Sequence, residues 1–156
     1  MKLRIKKLHP NAVVPAYATE GAACFDLVAA TVDGASTIGR NVWENRPLVC
    51  DTGLAFEVPP GYAMLIYSRS GHGFKHDTRL ANCVGVIDSD FRGSVQVKLT
   101  CDRPDDDDSP QTLFVRPGDR IAQAMIVPVP NVTFELVAEQ LSITERGAGG
   151  MGSTGA

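Results

Sequence analysis

No two cysteines of this chain stand close enough to suggest a zinc knuckle: Cys24, Cys50, Cys83 and Cys101 are scattered and form no CxxC pair. Each is set among apolar or strand-like neighbours, which predicts buried, reduced thiols and a cytoplasmic compartment. Long hydrophobic runs are missing as well. The longest apolar stretch, Ala124 to Val129, is broken by Pro128 and is far too short to span a bilayer. The N-terminus, Met1 to Leu8, carries basic residues but lacks the apolar core of a secretory signal. A soluble, intracellular protein with no membrane partner is expected. Positive charge is not in excess either: the net charge is −3. That leaves no basic patch large enough for duplex nucleic acid, so an anionic ligand must be met by locally arranged donors. His72 and His76 are four residues apart with no third ligand in view, so they are read as surface or packing residues rather than a metal site. Nothing brings any histidine to a defined serine as a hydrolytic triad would require.

What the chain does have is turn formers. Ten prolines and fifteen glycines in 156 residues predict many short strands and little helix. Strands are expected at Leu3–Leu8, Ala23–Ala29, Leu48–Asp51, Leu54–Val58, Ala63–Tyr67, Val84–Ile87, Ser94–Leu99, Leu113–Val115, Arg120–Val127 and Thr133–Val137. Pro59-Pro60-Gly61, Asp90 to Gly93, Pro117 to Asp119 and Pro128 to Pro130 divide them. This pattern predicts an all-β barrel or sandwich in one domain, with one short helix over Ser70–His76. The acidic run Asp105–Asp108 reads as a solvated loop tip between two strands, because adjacent like charges repel. A metal or a partner protein is the alternative there.

Four stretches are more polar or glycine-rich than core strands need. Ser68-Arg69-Ser70-Gly71 follows a strand and opens the expected helix; amides, a hydroxyl and a guanidinium suit phosphate, although a plain turn has the same composition. Asp88 directly follows three apolar strand residues, which predicts a partly buried carboxylate able to act as a general base; a turn-capping aspartate is the bland reading. Gln123 interrupts an apolar strand and needs a buried partner or a ligand. Asp119 and Arg120 just before it are expected to pair with each other. From Arg146 the tail is Arg-Gly-Ala-Gly-Gly-Met-Gly-Ser-Thr-Gly, read either as a flexible tail or as a phosphate clamp of backbone amides and hydroxyls.

Taken in order, five segments resemble the motifs of the homotrimeric dUTPase family: Gly21–Ala30, Arg69–Gly71, Asn82–Gly93, Gly118–Gln123 and Arg146–Gly155. The resemblance implies an all-β, jelly-roll-like barrel over residues 1–145 and an extended C-terminal arm over 146–156 that closes on a neighbouring subunit's site. It implies a homotrimer, with each active site drawn from three chains, and hydrolysis of dUTP to dUMP and pyrophosphate with Mg²⁺. By the same resemblance, Asp88 activates the attacking water. Ser70, Gly71 and Gln123 hold phosphate oxygens, supported by Arg69. Asn82 and nearby backbone read uracil, and the deoxyribose packs on Phe91. Arg146, Met151, Gly152, Ser153 and Thr154 close over the nucleotide, and Asp26 holds water on Mg²⁺ without binding the ion directly.

Two positions depart from the family pattern. Phe91 stands where the family often has tyrosine, and Met151 where the arm usually has an aromatic ring. The methionine keeps cover over uracil but forgoes stacking of about 0.5–1.5 kcal/mol. Two other functions fit the resemblance less well. A dCTP deaminase would show Arg-Ser-Ser where this chain has Arg69-Ser70-Gly71, together with an additional core glutamate. A non-catalytic nucleotide-binding relative would not need Asp88.

Overall fold

The computed structural model describes residues 1–42, 46–102 and 112–150. Short strands dominate, in the order β1 (Arg4–Lys7), β2 (Phe25–Val28), β3 (Thr31–Val32), β4 (Arg40–Asn41), β5 (Leu48–Asp51), β6 (Leu54–Glu57), β7 (Tyr62–Tyr67), α1 (Ser70–His76), β8 (Thr78–Leu80), β9 (Val84–Ile87), β10 (Gln96–Cys101), β11 (Phe114–Val115) and β12 (Arg120–Pro128). The expected all-β class and the single short helix are both present. The strands form two four-stranded sheets, β3-β5-β10-β8 and β2-β12-β7-β9, and two ribbons, β1-β6 and β11-β4. Among the described residues they do not close into one barrel. Every named pairing is antiparallel.

Alternation decides which face is covered. In β10, Val97, Leu99 and Cys101 point inward while Gln96 and Lys98 face out. In β2, Phe25 and Leu27 are buried. These side chains meet Leu54, Phe56, Met64, Ile66 and Ile121 in one core. Leu27 is fully buried, and truncation to alanine there would cost about 2–5 kcal/mol. β12 starts with a register shift between Arg120 and Ala122 against β2. The irregularity lets Ile121 and Ala122 both turn inward.

Several expectations need correction. Thr133–Val137 forms no strand: the segment has no regular structure, and Phe134 and Leu136 are 92% and 100% exposed. Strands β3, β4 and β8 have no counterpart in the sequence reading. β3 is held by pairing with β5 and runs into a tight turn at Asp33-Gly34, where both residues have positive φ. Among the thiols, Cys50 and Cys101 are buried, but Cys83 is exposed at a residue with φ of 62°. The acidic run Asp105–Asp108 lies outside the described residues.

Candidate active site

The sheet order β2-β12-β7 sets three polar positions side by side. Gln123 in the central strand stands opposite Asp26 on one side and Tyr67 on the other. β7 then passes through Ser68 and Arg69 into α1. Gln123 Nε2 donates to the Ser68 carbonyl at 2.9 Å, and Ser68 Oγ accepts from the Leu80 amide at 2.9 Å. The buried partner that Gln123 requires is therefore the turn leading into the helix. One amide hydrogen and the carbonyl oxygen of Gln123 remain for other partners.

Arg69 is the N-cap of α1, in an extended conformation and without a side-chain cap bond. Its guanidinium lies along the sheet instead. Nε donates to Asp26 Oδ1 at 2.9 Å, and Nη1 donates to the Arg120 carbonyl at 3.4 Å. Arg120 Nη1 reaches the other oxygen of Asp26 at 3.1 Å. The expected pairing of Arg120 with Asp119 is thus wrong. Asp119 accepts from the Arg116 amide at 2.7 Å and so closes the turn before β12. The irregular start of β12 leaves Arg120 to cross towards β2. Residue type alone does not single out Arg120 as a site-building residue; its place inside the Gly118–Gln123 motif is the signal for it.

A shallow cavity of about 470 Å³ opens beside this cluster, lined by Ser68, Arg69, Ser70, Phe74 and Gln123 among others. Its lining offers hydroxyls, an amide and an arginine, groups suited to an anion, beside the carboxylate of Asp77. Gly71 sits exposed in the first turn of α1. Among the described residues no three His, Cys, Asp or Glu side chains are grouped to hold a metal ion.

Asp88 is elsewhere. β9 is the edge strand of its sheet and pairs with β7 so that Ile87 faces Met64 and Val84 faces Tyr67. Asp88 therefore lies beyond the Ile87–Met64 pair, towards the Tyr62 end of β7, and Ser68 and Arg69 lie past the Tyr67 end. The strand from Met64 to Ser68 alone spans roughly 13 Å. The carboxylate is also exposed, not partly buried as expected. Val84, Val86 and Asp88 share the outward face of an edge strand, which nothing among the described residues covers; Val86 is 60% exposed.

Asn82 is exposed just before β9, its carbonyl accepting from the Val84 amide at 2.7 Å. After Asp88 the chain turns, with the Phe91 amide donating to the Asp88 carbonyl at 3.3 Å. Arg92 Nη1 fastens this turn by donating to the Ser89 and Phe91 carbonyls at 2.7 and 2.9 Å. Phe91 is left partly exposed. Arg146 lies far along the exposed tail and donates from Nε to the Gly149 carbonyl at 2.9 Å. Met151, Gly152, Ser153 and Thr154 lie outside the described residues. The single chain thus assembles Asp26, Arg69, Ser70 and Gln123, and leaves Asp88 apart from them.

Residues 10–155 match the model of the protein family described as dUTPase. The deoxyuridine 5'-triphosphate nucleotidohydrolase of Nautilia profundicola is 46% identical over 156 residues, covering 99% of both chains. That of Wolinella succinogenes is 39% identical over 155 residues, covering 99% of this chain and 95% of its own. Among solved structures, the dUTPase of Staphylococcus bacteriophage 80alpha with dUPNHPP superposes with a TM-score of 0.82 at 26% identity, covering 99% of each chain. A mutant dUTPase from phage phi11 of S. aureus, described with a coordinated structural Mg(II) ion, shares the fold at a TM-score of 0.74 and 21% identity, covering 89% of this chain and 98% of its own.

Proposed function

The chain belongs to the dUTPase family, and from that membership we propose that it hydrolyses dUTP to dUMP and pyrophosphate as a homotrimer whose active sites are each built from three copies. The observation that carries this reading is the separation along β7 of Asp88 from Arg69, Ser70 and Gln123. A carboxylate that must act on water beside a phosphate cannot serve phosphate holders at the other end of its own sheet. It can serve those of a neighbour. Two apolar surfaces support assembly. The segment after Pro130 exposes Val132, Phe134, Leu136, Leu141 and Ile143, and a groove of about 540 Å³ opens between β1 and β2, lined by Leu3, Ile5, Phe25, Met125 and Ile126 among others. Contiguous exposed apolar surface is expected at an interface, and association of copies would cover both surfaces.

In the assembled site, Asp88 accepts a proton from water as its oxygen attacks the α-phosphorus, and the bond from that phosphorus to the bridging oxygen breaks to release pyrophosphate. Ser70, Gly71 and Gln123 donate to phosphate oxygens, Gln123 through the amide hydrogen not given to Ser68. Arg69 supports them. Asn82 and adjacent backbone read uracil, and Phe91 packs on the deoxyribose. Arg146, Met151, Gly152, Ser153 and Thr154, on the arm formed by residues 146–156, close over the nucleotide.

The residues present fit Mg²⁺ carried by the triphosphate. Both oxygens of Asp26 already accept from arginines, yet a carboxylate has lone pairs to spare for water in the ion's shell. When bound, the ion supplies neutralisation of phosphate charge. No helix is long and apolar enough to cross a membrane among the described residues. All four thiols are free, which supports a cytoplasmic location. Incubation with Mg²⁺ and dUTP, dCTP, dTTP or UTP, followed by product separation, tests the reading. dUMP and pyrophosphate from dUTP alone are expected. Formation of dUTP or dUMP from dCTP, or no turnover of dUTP, would overturn it.

A further inference from the structure

The third residue of α1 turns back towards its N-cap. His72 Nε2 lies 3.3 Å from Arg69 Nη1. A guanidinium has donors only, so Nε2 accepts and the ring proton resides on Nδ1. That Nδ1 is buried and has no hydrogen-bond partner among the described residues. An unpaired buried donor is costly. A leucine would fill similar space without that cost, so the compensation lies on the other edge of the ring, at Arg69.

Arg69 is thereby held on three sides: by Asp26 from β2, by the Arg120 carbonyl from β12, and by His72 from its own helix. The imidazole stays neutral through the physiological range. Burial first, then the charges of Arg69 and His76, push its pKa down to about 4, against the opposite pull of Asp119 and Asp26. A neutral ring can accept from the guanidinium, whereas a charged one would repel it.

We infer that His72 is a positioning residue for the substrate phosphates, its Nε2 fixing the orientation of the Arg69 guanidinium beside Ser70 and Gln123. The inference rests on the reading that Arg69 supports the triphosphate. His72→Leu keeps bulk and removes the acceptor. It should raise KM for dUTP about tenfold, with kcat within about threefold of wild type, as loss of one charge-assisted hydrogen bond to a binding group would. His72→Gln restores an acceptor at similar reach and should recover KM to within about threefold. The decisive comparison is the pair of variants combined. If His72 works through Arg69, adding His72→Leu to Arg69→Ala should change KM by less than about twofold.

A similar rise in KM whether or not Arg69 is present would mean that His72 acts by packing alone, and the inference would fall. So would an unchanged KM in His72→Leu while Arg69→Ala is impaired. An Arg69→Ala enzyme with wild-type constants would instead overturn the role of Arg69 itself. Should His72→Leu not fold, as judged by circular dichroism, His72→Asn takes its place. Its shorter amide cannot reach Nη1, so the same rise, and the same disappearance of that rise beside Arg69→Ala, are expected.

Discussion

Phe91 lies directly over Gly93: a β-carbon at Gly93 would stand 2.6 Å from the Cζ of the Phe91 ring. No side chain at 93 is compatible with that ring position. Gly93→Ala should therefore push the ring aside and copy the effect of Phe91→Ala. In both variants the preference for dUTP over UTP should narrow, chiefly through a fall in kcat/KM for dUTP of about 10–100-fold. Equal ratios of the two specificity constants in wild type and both variants would show that Phe91 does not select the sugar.

Under the proposed mechanism, Asp88→Asn removes the proton acceptor and keeps the shape. A fall in kcat of roughly 10²–10⁴-fold is expected. Binding of a non-hydrolysable dUTP analogue should change little, because the carboxylate works on water. Turnover within threefold of wild type would remove Asp88 from the mechanism.

These two residues also mark how far the sequence could be read. Helix α1 and strands β5 and β9 are expected at the bounds they have, because short apolar runs mark the strands and Gly71 and Gly73 keep the helix brief, all local signals. β3, β4 and β8, of two or three residues each, owe their extended form to partners distant in sequence, and so carry no pattern of their own. Arg120 pairs with Asp26 because β12 begins irregularly, and a register shift leaves no trace in residue type. Asp88 follows apolar residues, which suggests burial. Alternation tells which residues share a face, however, and cannot tell whether the same chain covers that face. The same limit explains Thr133–Val137, whose strand-like pattern finds no partner strand among the described residues.

Asp51 links stability to pH. Burial alone would raise its pKa, but hydrogen bonds from Ser94 Oγ, the Gly53 amide at 2.7 Å and Gln96 Nε2 at 3.1 Å, with a smaller contribution from the charge of His9, bring it below the usual carboxylate value. A depressed folded-state pKa gives stability that is present above the unfolded value, about 3.9, and lost as pH falls through the folded one. Asp51→Asn should melt roughly 2–4 °C below wild type at pH 7. The gap should close as pH drops below about 4. A gap that stays constant from pH 7 to pH 3.5 in thermal melts would show that the charge of Asp51 contributes nothing.

Complementation tests the shared site. Chains ending at Glu145 and full-length Asp88→Ala chains should each be nearly inactive. Unfolded and refolded together, they should, under the proposed assembly, form mixed trimers in which an intact Asp88 from one chain can meet an intact arm from the other. Activity well above the sum of the two parents is expected. A mixture that native mass spectrometry shows to contain mixed trimers, yet that stays as inactive as its parents, would refute the three-chain site.

The distance that β7 keeps between Asp88 and Ser68 has a kinetic corollary. Under the proposed assembly, a newly made chain is chemically silent, because neither end of its sheet can cut a triphosphate alone. Specific activity then depends on how many chains are present as well as on how well each is folded. On dilution below the assembly threshold it should fall steeply, and on reconcentration it should return without any chain having unfolded.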